Sequence, residues 1–76
     1  MNKEEILENI SDNDLEFAIK EIKELEEKKG TIRDTIMLYE IYSSLDEINA
    51  FDNEIVDLQL CAWCTKEYSY RKAGLK

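Results

Sequence analysis

Two cysteines three residues apart, in Cys61-Ala62-Trp63-Cys64, are the first residues in this 76-residue chain whose types and spacing suit redox or metal chemistry. A redox C-x-x-C works because its first thiol sits at a helix N-terminus beside a βαβ sheet, where its pKa falls. Here the pair lies inside residues 55–64, a run with eight apolar residues in ten and Asp57 as its single charge, far from any predicted helix start. As a zinc half-site it lacks a second pair, and the chain has no histidine. Only a symmetric dimer would assemble a Cys₄ site, from Cys61 and Cys64 of both copies. Core packing is the preferred reading, since unpaired cysteine is among the most buried residue types. No metal ligand and no cofactor is expected.

The carboxylates form no catalytic pair. Glu40, Asp46, Glu47, Asp52, Glu54 and Asp57 instead predict an acidic ridge across a third helix and the start of a fourth. Carboxylates spread along a rigid helical face imitate a phosphate backbone and suit a basic surface on another protein; the competing reading is a merely solvated face. Trp63, Tyr68 and Tyr70 make the aromatic cluster, next to Lys66, Arg71 and Lys72. Aromatics beside arginine are favoured at protein interfaces, although a lone tryptophan in so small a chain also serves as a core plug. With neither a Ser/His pairing nor a Gly-rich phosphate loop, the chain reads as a non-enzyme.

Charge narrows the partner. The formal net charge is −8. Residues 1–29 carry five Lys against ten Asp/Glu, residues 30–57 one Arg against seven, and residues 58–76 four Lys/Arg against one Glu. The body is acidic and the tail, from about residue 66, is basic. An acidic body disfavours nucleic acid and anionic membranes, whose affinity rests on Lys/Arg neutralising phosphates. It favours another protein with a basic surface. The N-terminus Met1-Asn2-Lys3-Glu4-Glu5 has no apolar signal region and no segment approaches the ~20 apolar residues of a membrane span, so a cytoplasmic setting with reduced thiols is expected. The Lys/Glu/Ile/Asn-rich composition is associated with phage and mobile-element products of AT-rich bacteria.

The elements that must position these groups are helical. The chain has no proline and two glycines, Gly30 and Gly74, in a background of good helix formers. Asn2 caps a short first helix, with Glu5 at its third position and Ile6, Leu7 and Ile10 as its apolar patch. Ser11-Asp12-Asn13-Asp14 breaks it and starts a second helix, whose stripe is Leu15, Ala18, Ile19, Ile22 and Leu25. Lys28, Lys29 and Gly30 end that helix, with Gly30 expected at the left-handed cap position. A third helix is expected from the Thr31 cap, with Leu38, Ile41, Leu45 and Ile48 on one face and Ile32, Ile36 and Tyr39 on another, its first half sandwiched between neighbours. The segment 49–53 offers the next break, with Asp52 or Asn49 as cap.

The fourth segment reads as a helix apolar nearly all round, the pattern of a central or interface element. Its alternation also fits a strand, but no partner strand is evident. Residues 73–76 are expected to fray. The expectation is therefore an all-α fold, one acidic domain of three or four helices, self-associating as a homodimer through Leu58, Leu60 and Trp63 of the C-terminal helix. Its expected role is a small acidic inhibitor, antirepressor or adaptor that binds another protein, possible nucleic-acid mimicry being its sharpest form. The alternatives are a structural dimerisation or scaffolding module and the dimeric Cys₄ protein.

Overall fold

Side-chain caps set the starts of the first two helices. In the computed structural model, which describes residues 1–74, the chain forms α1 (Lys3–Glu8), α2 (Asp12–Lys28), a 3₁₀ turn (Ile32–Asp34), α3 (Met37–Glu47) and α4 (Val56–Lys72). Asn2 Oδ1 accepts from the Glu5 N–H at 2.9 Å and Ser11 Oγ from the Asp14 N–H at 3.1 Å, each satisfying an amide that the helix itself leaves unpaired. Residues 55–64 are helical from Val56 onward, so the helix reading of this segment stands and the strand reading falls.

Three local expectations are corrected. The left-handed residue at the end of α2 is Lys29 (φ 54°), one position before the expected glycine. Gly30 is tightly placed: a Cβ there would meet Leu25 Cδ2 at 3.1 Å, so that side chain would have to yield by a few tenths of an ångström. Thr31 does not open the third helix. The Asp34 carboxylate accepts from the Thr31 N–H at 3.0 Å, closing a single 3₁₀ turn, after which Thr35 is extended and α3 starts at Met37. This interruption rotates the second stripe out of register. Ile32 is buried, whereas Ile36 is 72% exposed and Tyr39 is exposed, so the first half of α3 is not sandwiched.

The core is closed by one edge from every helix: Leu7 from α1, Leu15, Ala18 and Ile22 from α2, Leu38, Ile41 and Leu45 from α3, and Leu60 and Cys64 from α4. α2 packs on both α3 and α4, and α1 bridges α3 and α4. The Cα radius of gyration, 11.7 Å, is close to the roughly 11.4 Å expected for a closed globule of this length.

Two ionic side chains, buried Glu21 and half-buried Arg71, complete helix ends from a distance. Glu21, on α2 and 8% exposed, aims its carboxylate at the start of α3, accepting from the Ile36 N–H at 2.6 Å and the Leu38 N–H at 2.8 Å. Ile36, the residue at the cap position, has no side-chain acceptor, so α2 supplies one. Arg71, near the end of α4, donates to the Leu7 carbonyl at 3.1 Å and the Glu8 carbonyl at 3.3 Å, the open end of α1. It is held there by Glu67 (3.0 Å), itself 4% exposed, and by Asp12 (2.9 Å). α3 ends on its own backbone: Asn49 adopts φ 55°, and the Ala50 and Asn49 amides return to the Leu45 and Asp46 carbonyls at 3.1 and 3.0 Å. In the connection that follows, the Asp52 carboxylate accepts from the Glu54 N–H at 3.1 Å while Gln59 Oε1 accepts from the Asp52 N–H at 2.8 Å.

Candidate functional site

The C-x-x-C pair sits in the middle of α4, facing the core. Cys64 is fully buried and Cys61 half-buried, both as free thiols. Burial pushes the Cys64 thiol up to about 12, with the neighbouring Cys61 adding to the shift; burial also raises Cys61, helped by the charges of Asp57 and Glu26. A raised thiol is the reverse of what a nucleophilic cysteine needs. Among the described residues no group of three or more Cys, Asp or Glu side chains is placed to hold a metal ion.

The six carboxylates expected to form one ridge divide among separate places. At about 100° per residue, Glu40 and Glu47 on α3 lie within roughly 20° of each other, while Asp46 is turned about 120° from Glu40. Asp52 and Glu54 belong to the α3–α4 connection. Asp57 lines a different recess, with Thr31, Arg33, Tyr39 and Tyr42. Of the six, Glu40 and Glu47 share a surface with a recognisable shape.

That surface is an open groove of about 550 Å³ between α3 and the corner where α1 meets α2. Its floor is Ile6 and Ile10 on one side and Met37, Ile41 and Ile48 on the other. Ile41 is buried and the other four are half-buried, so the floor is apolar surface that the fold leaves partly uncovered. Asp14 stands on the α2 wall and Glu40 and Glu47 on the α3 wall, all exposed. Among the described residues no Lys or Arg lines the groove. The sequence already held most of this floor in the Ile6/Ile10 patch and the Ile41/Ile48 spacing. What it lacked was the position of α1 beside α3, and with it Met37 and Asp14.

The aromatic residues from Tyr39 onward are engaged within the chain. Tyr39, Tyr42, Phe51 and Trp63 form a ladder with ring centroids 5.8, 5.5 and 5.2 Å apart, running from α3 through the connection to α4. Lys3 lies over the Trp63 ring at 4.4 Å. Tyr68 and Tyr70 point to different sides of α4, beneath Lys72 (5.3 Å) and Lys66 (5.5 Å). They border separate recesses, Tyr70 beside Trp63 and Tyr68 beside Leu15. The three rings expected to act together therefore do not share one open surface.

The three residues expected at a self-interface are likewise separated. Leu60 is fully buried in the chain's own core, a correction to its expected place on an interface: its burial is already complete without a second copy. Trp63 is half-buried against Phe51, and Leu58, 73% exposed, stands on the outer side of α4. Among the described residues no helix is long and apolar enough to cross a membrane. No protein-family model matches the chain, and no curated protein or solved structure matches it either.

Proposed function

We propose that the chain is a non-enzymatic interaction module, a small acidic inhibitor, antirepressor or adaptor that docks on a basic surface of another protein. The observation that carries this reading is the alignment of Glu40 and Glu47 along one exposed edge of α3 beside an uncovered apolar groove. An apolar centre with a charged rim is the anatomy of a protein-binding patch, the rim setting orientation and encounter rate and the centre most of the affinity. The net charge of −8 adds long-range attraction to a basic partner. The nucleic-acid-mimic form of the reading calls for carboxylates spread over one face. The six expected ones divide among separate places, which favours docking through the groove edge.

The test compares the native protein with the charge-reversed variant Glu40→Lys/Glu47→Lys/Glu54→Lys as bait in cells that express it. All three side chains are exposed, so the fold is expected to survive. The native bait should retain a specific basic protein in a salt-sensitive manner and the variant should not. Equal retention by both baits would refute the reading.

Leu58 supports a second reading, a dimerisation module. It lies on an outer face of α4 with Ala62 and Thr65, and no carboxylate shares that stripe. Light scattering over a dilution series should then show a dimer that Leu58→Lys dissociates, and a monomer at all concentrations removes this reading.

A further inference from the structure

We propose that the groove between α3 and the α1–α2 corner receives an amphipathic basic helix from another protein, an inference that rests on the docking reading above and names its site and the chemistry of the occupant. The floor is set by Ile10, Met37 and Ile48, half-buried side chains that gain from losing water, at roughly 25 cal/mol per Å² of apolar surface. The walls add charge of one sign, with Asp14 facing the α3 pair Glu40 and Glu47 and no Lys or Arg side chain among them.

Spacing selects a helix over an irregular segment. Glu40 and Glu47 are seven residues apart on one helix, about 10.5 Å along its axis at 1.5 Å per residue. A second helix laid alongside α3 repeats its own side chains over that same distance, two turns. Cations at its positions i and i+7 meet Glu40 and Glu47 together, while apolar residues at i+3 and i+4 fall on the floor. An extended strand, whose side chains on one face recur about every 7 Å, cannot match both carboxylates in register.

The occupant is not a second copy of this chain. The inner edge of its basic helix, α4, is spent on Leu60 and Cys64 in its own core, its outer stripe offers Leu58 as the one large apolar side chain, and Arg71 is already engaged with Glu67, Asp12 and the end of α1. An α3-to-α3 contact would set Glu40 and Glu47 against their own copies.

The experiment titrates the full ¹⁵N-labelled chain with a synthetic 18-residue peptide carrying Leu on one stripe, Lys flanking it at a seven-residue repeat, and Ala or Gln elsewhere. The control is a peptide of the same composition scrambled so that no stripe forms. The striped peptide should bind at least tenfold tighter than the scrambled one, with amide shifts gathered at Ile10, Ser11, Ser44 and Ile48. Ser44→Arg, an exposed substitution that places bulk and positive charge in the groove, should weaken binding tenfold or more. Equal binding of both peptides with shifts scattered over the acidic surface overturns the groove proposal while leaving the docking reading standing. Shifts confined to the Leu58 face of α4, or no binding of either peptide, also overturn it. If the striped peptide binds in the groove while the charge-reversed bait retains its cellular partner, the docking reading fails and the groove survives.

Discussion

Glu21 gives the sharpest test of how this fold is held together. Replacing it with alanine removes the acceptor for the Ile36 and Leu38 amides, the latter buried, and puts nothing in its place. A hydrogen bond to a charged group contributes about 1.5–3 kcal/mol, and helix caps typically about 1 kcal/mol. Because both bonds share one carboxylate, whose burial itself carries a cost, the expected loss is about 3 kcal/mol rather than the sum of two full bonds. A domain of this length has roughly 4–11 kcal/mol of stability in total, so Glu21→Ala removes a large fraction of it. At roughly 4–8 °C per kcal/mol, the melting temperature should fall by about 12–24 °C. Glu21→Gln, which keeps one acceptor oxygen, should lie between alanine and native. Urea unfolding followed by the fluorescence of Trp63, the single tryptophan, gives the free energies, and hydrogen exchange at the Leu38 amide gives the location. If Glu21→Ala unfolds within 0.5 kcal/mol of native (about half of one typical cap) and the Leu38 amide stays protected, the remote cap contributes nothing and the reasoning is wrong.

Three further outcomes are expected. Arg71→Met should cost about 2–4 kcal/mol through its broken contacts with Glu67 and the Leu7 and Glu8 carbonyls, and should deprotect the amides of α1 first in hydrogen exchange, whereas Asp12→Asn, at an 89% exposed side chain, should cost under about 1 kcal/mol. The folded chain holds the Cys64 proton up to about pH 12, while an unfolded thiol loses it near 9. The folded state then binds more protons than the unfolded one, so stability should fall as pH rises above about 9, by up to ~1.4 kcal/mol per unit; Cys64→Ala should show a shallower fall in the same urea series. Lys29→Gly should raise stability by up to about 1 kcal/mol in thermal unfolding, because glycine holds a φ of 54° without a Cβ penalty.

Short-range signals were legible in the sequence. Asn2 and Ser11 act as the caps their types predict, the Leu15/Ala18/Ile22 spacing marks the buried edge of α2, and the absence of proline leads correctly to an all-helical fold. What stayed hidden depends on distant partners. Glu21 has the same local sequence character as the solvated glutamates around it. Only the approach of the α3 start turns it into a buried acceptor, and only the position of α1 gives Arg71, the i,i+4 partner of Glu67, the Leu7 and Glu8 carbonyls. Thr31 has a cap residue's chemistry, but Asp34 closes its turn early, and the five-residue shift of the α3 cap from Thr31 to Ile36 leaves Ile36 and Tyr39 exposed. The candidate site was half visible in the same way. The seven-residue interval between Glu40 and Glu47 can be read directly, whereas the groove beside them exists because α1 lies against α3, a contact that no local pattern announces.

The reach of Arg71 bears on the order in which the chain can finish folding during synthesis. α1 is made first, yet the group that closes its carboxyl end lies 64 residues downstream of Leu7. Until that guanidinium is available, α1 has its six residues, the Asn2 cap and its contact with α3, and a helix this short does not persist alone in water. Vectorial synthesis therefore delivers α1 as a waiting stretch of chain, and its last turn locks only when Arg71 has emerged and reached it.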